Sequence, residues 1–253
     1  MIYKYLPYFI FKSLFGDRKK YTGEIDHNDP DWHNWKKGNL EFYHNVQKGS
    51  IGHIINHMGF KIIKYVDLSD KIVLEIGPGI IEYLIHNQTR PKRYYLADIR
   101  SDFLEMSAQV LHEKFNIKQV EKIKLKDIHV PLPDNSVDSI ISFHQLEHIH
   151  KLEIYLDELK RILKSNGLLI GAVPTEGSLA WGIGRILTSK RYVNKNLNFN
   201  YDKIICWTHP NFVDHIKKSL DRRFTIIRSV KKPFNLLPLD LNLSYSFIYK
   251  NIK

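Results

Sequence analysis

The chain has 253 residues, of which 43% are hydrophobic and 26% are charged, and its formal net charge is +11. This ordinary globular composition excludes disordered, collagen-like and coiled-coil proteins. The single cysteine, Cys206, excludes an internal disulfide and a zinc site made of several cysteines, so we expect a reducing, cytoplasmic location. No stretch reaches the roughly 18 apolar residues that a membrane span requires.

The first 70 residues are predicted to form an N-terminal helical or lid segment. Residues 1–15 are apolar except for interruptions such as Lys4 and Lys12. They predict an amphipathic helix that packs on the protein or lies on a bilayer surface. A second helix is predicted at Ile51–Val66, after a polar aromatic stretch from which we assign Tyr43 to the acceptor site.

Residues 71–253 alternate short β-branched stretches with helical ones, which is typical of parallel strands joined by helical crossovers. Strands are predicted at Lys71–Ile76, Arg93–Asp98, Val120–Leu125, Val137–Phe143, Leu168–Val173, Phe224–Val230 and Leu243–Tyr249. Helices are predicted after the glycine turn as far as Asn87, at Ser101–Asn116 with Ser101 as a cap, at Leu152–Leu163 and at Asn211–Leu220. The fold class is therefore α/β: a Rossmann-like, seven-stranded, mostly parallel sheet with helices on both faces.

The segment 174–208 is too long for a simple connection between a strand and a helix, and we expect it to form a cap over the site. Residues 174–253 contain 14 Lys or Arg against 5 Asp or Glu, so nearly all the net positive charge lies there. This charge indicates either an anionic partner or a solubilising surface. The chain has no nucleic-acid-binding motif, and we expect no nucleic-acid partner.

A glycine turn follows the first predicted strand, in the sequence Val73-Leu74-Glu75-Ile76-Gly77-Pro78-Gly79. Two glycines there allow a nucleotide-like ligand to approach the backbone. Glu82 stands where a dehydrogenase fingerprint has a third small residue, which argues against a nicotinamide cofactor. Asp98 ends the second strand, where a carboxylate can accept hydrogen bonds from ribose hydroxyls; its alternative role is to cap a helix or loop.

At this point the chain resembles the class I S-adenosylmethionine (SAM)-dependent methyltransferases, in particular the type 11 small-molecule branch. The resemblance covers about Lys71–Pro174 and rests on ordered motifs, which are VLEIGPG at 73–79, YYLADI at 94–99, KDI at 126–128 with PLPDNSVD at 131–138, HQLEHI at 144–149, and ELKRILKSNGLL at 158–169. One departure is Ile81, which occupies the place of a third glycine.

The resemblance implies SAM as cofactor and S-adenosylhomocysteine (SAH) as product. It assigns the turn to the methionine end, through Glu75, Gly77, Pro78 and Gly79. Asp98 would bind the ribose, Asp127 would accept from the adenine amino group, and Ile99 and Ile128 would pack on the ring. Asp127 has the alternative role of starting a turn. His144 and Gln145 would lie beside the methyl sulfonium.

His144-Gln145-Leu146-Glu147-His148 also matches H-x-x-E-H, a zinc-peptidase motif in which both histidines lie on one helix. Because the segment directly follows a predicted strand, we prefer a methyltransferase without a metal. Histidine can accept a hydroxyl proton at neutral pH, so His144, His148 and Glu147 are the candidate catalytic residues. An alternative role for His148 is to order the loop.

The acceptor is predicted to be a small anionic molecule that Glu176, Trp181, Arg185 and His209 contact together with Tyr43. Residues 174–191 and 208–211 resemble, more weakly, methyltransferases of bacterial surface-polysaccharide assembly. This implies O-methylation of a sugar or of a phosphate- or phosphoramidate-bearing precursor of a capsular polysaccharide. The alternatives are a quinone-type or other small-molecule methyltransferase and a noncatalytic SAM- or RNA-binding module. The sequence leaves the oligomeric state open.

Overall fold

Seven strands pair in one sheet in the computed structural model, which describes residues 1–42, 57–79 and 81–253. The strands are β1 (Ile72–Ile76), β2 (Arg93–Asp98), β3 (Val120–Lys124), β4 (Val137–Phe143), β5 (Leu163–Pro174), β6 (Thr225–Lys232) and β7 (Ser244–Lys250). Their order across the sheet is β3-β2-β1-β4-β5-β7-β6. The first five strands are parallel, and β7 runs antiparallel to β5 and β6. The predicted fold class is confirmed.

The chain order reverses between β1 and β4. From β1 the chain adds β2 and β3 on one side, and it then returns to place β4 on the other side. Both central strands are almost wholly buried, which suits their β-branched composition. In open α/β sheets a crevice forms at the carboxyl ends of strands at such a reversal, and ligands bind there.

Eight helices lie wholly within the described part of the chain, and some of them cover the two faces of the sheet. They are α1 (Tyr8–Phe15), α2 (Pro30–Phe42), α3 (Ser101–Glu113), α4 (Leu152–Ile162), α5 (Leu179–Arg185), α6 (Arg191–Asn196), α7 (Tyr201–Thr208) and α8 (Val213–Asp221). On one face Leu156 of α4 and Ile216 of α8 belong to the same buried cluster. On the other, Leu104 and Leu111 of α3 belong to a cluster with Ile63.

The predicted helix after the glycine turn is wrong. The described residues of this segment form only a short 3-10 turn at Tyr83–His86. Tyr83 is buried, with its hydroxyl 2.5 Å from that of Tyr94, and the Asn87 amide donates to the carbonyls of Ile63 and Val66. These tertiary contacts fix Tyr83 and Asn87 in place. The few residues between them are too few to form a regular α-helix.

Two other local predictions have different outcomes. Ser101 does not cap α3: the cap residue is Arg100, without a side-chain cap, and the Ser101 hydroxyl accepts a hydrogen bond from Lys124. Of the helix predicted at Ile51–Val66, residues 57–60 are helical and Lys61–Tyr65 form a 3-10 turn. Its first six residues and Tyr43 lie outside the described residues.

Helix α1 packs on the cap. Leu14 and Phe15 are buried, and a Cβ added to Gly182 of α5 would lie 2.9 Å from the Phe15 ring, so the two helices are in close contact. Of the two arrangements left open for the N-terminal helix, packing on the protein is the one observed. In the described part of the chain no helix has the length and apolar character needed to cross a membrane.

Candidate functional site

The glycine turn is open at the carboxyl end of β1. Gly77 and Gly79 both have positive φ, +66° and +54°, which glycine adopts at little cost. A Cβ on Gly77 would lie 2.4 Å from Oε1 of Gln145, whereas a Cβ on Gly79 would meet no atom of the described residues within 4 Å, its chain neighbours aside. The Gly77 N–H donates to the Ala97 carbonyl of β2 at 2.9 Å. The turn is therefore packed against Gln145 at Gly77, whereas at Gly79 the described residues leave space for a ligand.

Ser107 supports this turn and was missed by the sequence analysis. It lies fully buried in α3, and its hydroxyl donates to the Gly79 carbonyl at 2.9 Å. The available sequence signal was a lone serine on the apolar face of the predicted helix. Because its partner is a backbone carbonyl of a distant segment, only the packing of α3 on the sheet reveals the contact.

Asp98 ends β2, next to the glycine turn. Its side chain is largely buried, and Oδ1 accepts the backbone N–H of Arg100 at 2.7 Å. Burial raises its pKa above the ordinary value for aspartate. A carboxylate at this strand end, with hydrogen-bonding capacity left over, fits the predicted ribose-binding role.

Glu75 is buried at the end of β1 and is held by two tyrosines that the sequence analysis did not identify. The Tyr94 hydroxyl donates to Oε2 of Glu75 at 2.7 Å, and Tyr83 contacts Tyr94. Burial raises the pKa of Glu75 to about 8, and the nearby Asp98 charge acts in the same direction. At neutral pH the Glu75 carboxyl is therefore mainly protonated.

The residues predicted for the adenine side differ in exposure. Ile99 is 65% exposed directly after Asp98, and Ile128 is partly buried against the core. Asp127 is exposed, and its Oδ1 accepts the His129 N–H at 2.8 Å in a turn. Because this bond uses only one carboxylate oxygen, Asp127 can start the turn and still accept from a ligand.

These residues fit a SAM molecule. The open space beside Gly79 provides a cradle that any side chain there would fill. The carboxyl groups of Glu75 and Asp98, together with the apolar Ile99 side chain, match the polar and apolar parts of a nucleoside attached to an amino acid. We therefore assign the methionine end to the turn from Glu75 to Gly79 and the nucleoside to Asp98 and Ile99 as candidate contacts.

The segment after β4 is not an α-helix. His144 has φ +54° and its N–H donates to the Ala172 carbonyl of β5, and a 3-10 turn follows at Leu146–His148. The two histidines are therefore not one helical turn apart on an α-helix, and the H-x-x-E-H peptidase alternative is wrong. No group of three or more potential ligands suited to a metal ion is found among residues 1–42, 57–79 and 81–253.

Five side chains from four distant segments meet beyond β4 and β5. We call them the acceptor-side network, and they are Arg18, Glu147, His148, Glu176 and His209. Glu176 is fully buried, its Oε1 contacts Nδ1 of His209, and its Oε2 lies 3.6 Å from Nη2 of Arg18. Arg18 also donates to the His209 carbonyl at 2.6 Å. The rings of His148 and His209 meet edge to face, 4.3 Å between centroids.

Burial and charge perturb this network. Burial raises the pKa of Glu147 well above its ordinary value, and the Glu176 charge adds to the effect. The surrounding protein and the neighbouring His209 lower the pKa of His148, although its side chain retains surface exposure. Oε2 of Glu147 is buried and has no hydrogen-bond partner among the described residues. Perturbed groups at the carboxyl ends of strands are typical of a functional site.

His144 and Gln145 lie between the turn and this network. The His144 Nδ1 is 4.0 Å from Oε1 of Glu147, and its ring packs 5.8 Å from that of Phe60. The Gln145 side chain lies against Gly77, and its buried Oε1 has no hydrogen-bond partner in the part of the chain that the structure describes. Both residues are thus next to the predicted position of the methyl group.

Arg185, predicted to contact an anionic acceptor, has a different role in the structure. Its guanidinium is buried, donates to the carbonyls of Ser13 and Leu14, and forms an ion pair with Asp202 at 2.7 Å. Arg185 therefore attaches α1 to the cap, and its guanidinium is not available to an anionic acceptor as predicted. Trp181 is half-buried and packs between the apolar clusters of the N-terminal segment and the cap.

Comparison with known proteins identifies the central part of the chain. Residues 74–171 match the family described as "Methyltransferase domain". An uncharacterized protein of Methanocaldococcus jannaschii is 30% identical over 126 residues, which cover 50% of this chain and 51% of that protein. A probable S-adenosylmethionine-dependent methyltransferase of Mycobacterium tuberculosis is 29% identical over 89 residues, covering 35% and 32% of the two chains.

A third relative, the malonyl-[acyl-carrier protein] O-methyltransferase of Yersinia pestis, is 28% identical over 142 residues, which cover 53% of this chain and 49% of that protein. The matches thus span about half or less of these relatives' lengths.

Among solved structures, the N-methyltransferase NodS of Bradyrhizobium japonicum with bound SAH has a TM-score of 0.52 at 11% identity, covering 95% of this chain and 100% of NodS. A SAM-dependent methyltransferase of Aquifex aeolicus has a TM-score of 0.54 at 16% identity, covering 84% and 98%. Both share the fold.

Proposed function

We propose that this protein, whose residues 74–171 form a class I SAM-dependent methyltransferase domain, transfers a methyl group from SAM to a small-molecule acceptor. The observation that carries the proposal is the open turn at Gly79, with the Asp98 carboxylate at the neighbouring strand end. Together they provide a backbone cradle and a hydrogen-bond acceptor for a nucleoside at the reversal of the sheet.

When bound, SAM supplies an electrophilic methyl group on a positively charged sulfur that is an excellent leaving group. The chain's own contribution is therefore mainly to position the acceptor and to exclude water. Gln145, packed on Gly77, and His144 at the end of β4 are the residues placed to border the methyl end. The cap and helix α1 cover the side from which an acceptor enters.

For the acceptor we propose an oxygen nucleophile. The carboxylate and imidazole groups of the acceptor-side network support this proposal, because they can orient a hydroxyl group and accept its proton. The Yersinia pestis relative is named as an O-methyltransferase, although its match covers only half of each chain. A sugar or sugar-derived precursor of a surface polysaccharide is our proposed substrate class, from the resemblance of the cap.

The Asp98→Ala variant tests the cofactor site. We expect the Kd for SAM and SAH to rise about 5- to 150-fold, because charge-assisted hydrogen bonds worth about 1–3 kcal/mol are lost. Isothermal titration calorimetry measures both constants. Asp102→Ala is the matched control, since Asp102 is an exposed carboxylate paired with Arg100. Failure of the wild-type protein to bind either compound contradicts the proposed function, and an unchanged Kd in Asp98→Ala removes Asp98 from the site.

A further inference from the structure

Glu176 lies at the buried centre of the acceptor-side network, between Arg18 and His209. The carboxylate is fully buried, and a buried charge is stable only beside an opposite charge or hydrogen-bond donors. Arg18 supplies the opposite charge 3.6 Å away, and the Nδ1 of His209 is in contact with the other carboxylate oxygen. Arg18 follows α1, so the N-terminal segment contributes directly to this arrangement.

The hydrogen bonds fix the tautomers of both histidines. Nδ1 of His148 is 2.6 Å from the Thr208 carbonyl, which can only accept, so this nitrogen carries the proton. Nδ1 of His209 contacts the Glu176 carboxylate and therefore also carries its proton. In each neutral ring Nε2 is then the unprotonated nitrogen that can accept another proton.

The two histidines have different partners at Nδ1. His209 contacts a carboxylate, which can pair with an imidazolium, whereas His148 contacts a neutral carbonyl. The side chain of His148 also faces His209, and two positive rings 4.3 Å apart would repel each other. Of the two rings, His209 is therefore the one that has a charged partner beside it.

We infer that the acceptor is a neutral hydroxyl compound and that His209 takes its proton, with Glu176 and Arg18 as positioning residues. This inference rests on the proposed function. The acceptor oxygen gains a bond to the methyl carbon while its O–H bond breaks and the proton joins Nε2 of His209. The sulfur keeps the electron pair of the broken C–S bond and becomes neutral, so the positive charge ends on the imidazole.

The charges of the site favour a neutral hydroxyl over an anionic acceptor. An ionised phosphate or carboxylate oxygen needs no base and would be repelled by the buried carboxylate of Glu176. Three basic residues near the site are already paired, Arg18 with Glu176, and Arg185 and Lys190 with Asp202. Of the residues predicted to contact an anionic acceptor, Arg185 is therefore used within the fold.

Nuclear magnetic resonance of the full chain, labelled with ¹⁵N and ¹³C at histidine and saturated with SAH, tests the tautomers. We expect His148 and His209 each to carry the proton of the neutral ring on Nδ1. Glu176→Gln should change the Nδ1 signal of His209, and the exposed-carboxylate control Glu121→Gln should leave it unchanged. Protonated Nε2 on neutral His209, or an unchanged Nδ1 signal in Glu176→Gln, overturns the inference.

A transfer assay tests the reaction with methyl-labelled SAM and two probe sets, neutral methyl glycosides and sugar phosphates. We expect label on the hydroxyl oxygens of the neutral glycosides, less label on the sugar phosphates, and a 10²- to 10⁴-fold lower kcat in His209→Gln, the usual effect of losing a general base. Its Kd for SAH should stay within twofold of the wild type, and Arg18→Lys should retain more activity than Arg18→Gln. Methylation only of phosphate oxygens, or an unchanged kcat in His209→Gln, overturns the inference. Failure of the wild-type protein to bind SAH contradicts the proposed function itself, which distinguishes that outcome from a failure of this inference.

Discussion

At the scale of single residues, Gly77 and Gly79 have the same backbone requirement but different surroundings. Both have positive φ, so alanine at either position is strained by about 1 kcal/mol. Only at Gly77 would the new methyl also collide with a neighbour, Gln145. Substitution of Gly77 therefore tests packing within the fold, and substitution of Gly79 tests the space needed by the ligand.

We predict that Gly79→Ala folds with a loss of about 1 kcal/mol in the free energy of unfolding but weakens SAH binding at least tenfold, because its Cβ occupies ligand space. Gly77→Ala should lose more stability, since the Gln145 side chain must move. Urea denaturation and calorimetry measure the two effects. Equal SAH affinity in Gly79→Ala and the wild type would show that the ligand does not approach this glycine.

Glu75 makes stability depend on pH. Its pKa is about 8 in the folded protein and near 4.5 in the unfolded chain, so between these values the folded state binds more protons. The free energy of unfolding therefore falls as pH rises from about 5 to 8, by up to about 1.4 kcal/mol per pH unit from this group. Glu147, whose pKa is also raised, acts with the same sign.

We predict that Glu75→Gln reduces this slope without abolishing it, because Glu147 remains. Urea denaturation at pH 5, 6, 7 and 8 gives the slope for the wild type and the variant. Glu121→Gln, on the exposed edge strand, is the control and should keep the wild-type slope. The same slope in Glu75→Gln and the wild type would mean that Glu75 is ionised throughout this range.

At the scale of elements, the attachment of α1 to the cap depends on Arg185. Its guanidinium joins the carboxyl-terminal carbonyls of α1 to Asp202 of α7. Breaking a buried pair typically costs about 3–5 kcal/mol because the remaining charge is left uncompensated. Lys190 binds the other oxygen of Asp202 at 2.6 Å but is partly exposed.

We predict that Arg185→Met lowers the free energy of unfolding by about 3–5 kcal/mol, and that Lys190→Met lowers it by less than about 1 kcal/mol. Chemical denaturation measures both. The comparison is matched because both variants remove a cation from the same carboxylate and replace it by the same side chain. Similar losses in both would show that the buried hydrogen bonds to α1 contribute little.

Elements were predictable to different degrees. The strands β1, β2 and β4 were predicted nearly residue by residue, because buried parallel strands have continuous β-branched stretches and are bounded by turn residues. The helix after the glycine turn was predicted wrongly, since its fate depended on Tyr83 and Asn87 finding partners far away in the chain. Local patterns contain no information about such partners.

At the scale of the whole molecule, the basic carboxyl-terminal third is partly neutralised by carboxylates from earlier segments. Long-range ion pairs include Lys203 with Asp29 and Asp31, and Arg223 with Glu153 and Asp157. Basic side chains that pair with carboxylates within the fold are less available to bind a polyanion. The net charge of the sequence therefore overstates how attractive this surface is to nucleic acid.

We predict that a 30-nucleotide single-stranded RNA binds with a Kd weaker than about 10 μM at 0.15 M salt, which is the range of non-specific electrostatic contacts. Fluorescence anisotropy measures this Kd, and the affinity should fall further as salt is raised. Binding below about 0.1 μM at this salt concentration would favour the alternative of an RNA-binding module.

The sequence by itself determined the fold class, the glycine turn and the carboxylate at the end of β2, because each follows from local hydrophobic patterning and from short ordered motifs. The tertiary structure decided which distant side chains meet. It placed Arg18 of the N-terminal segment beside Glu176 and His209, and it directed Arg185 into the protein away from any ligand. These outcomes depend on long-range packing and on the pairing of buried charges, which no local pattern of residues specifies.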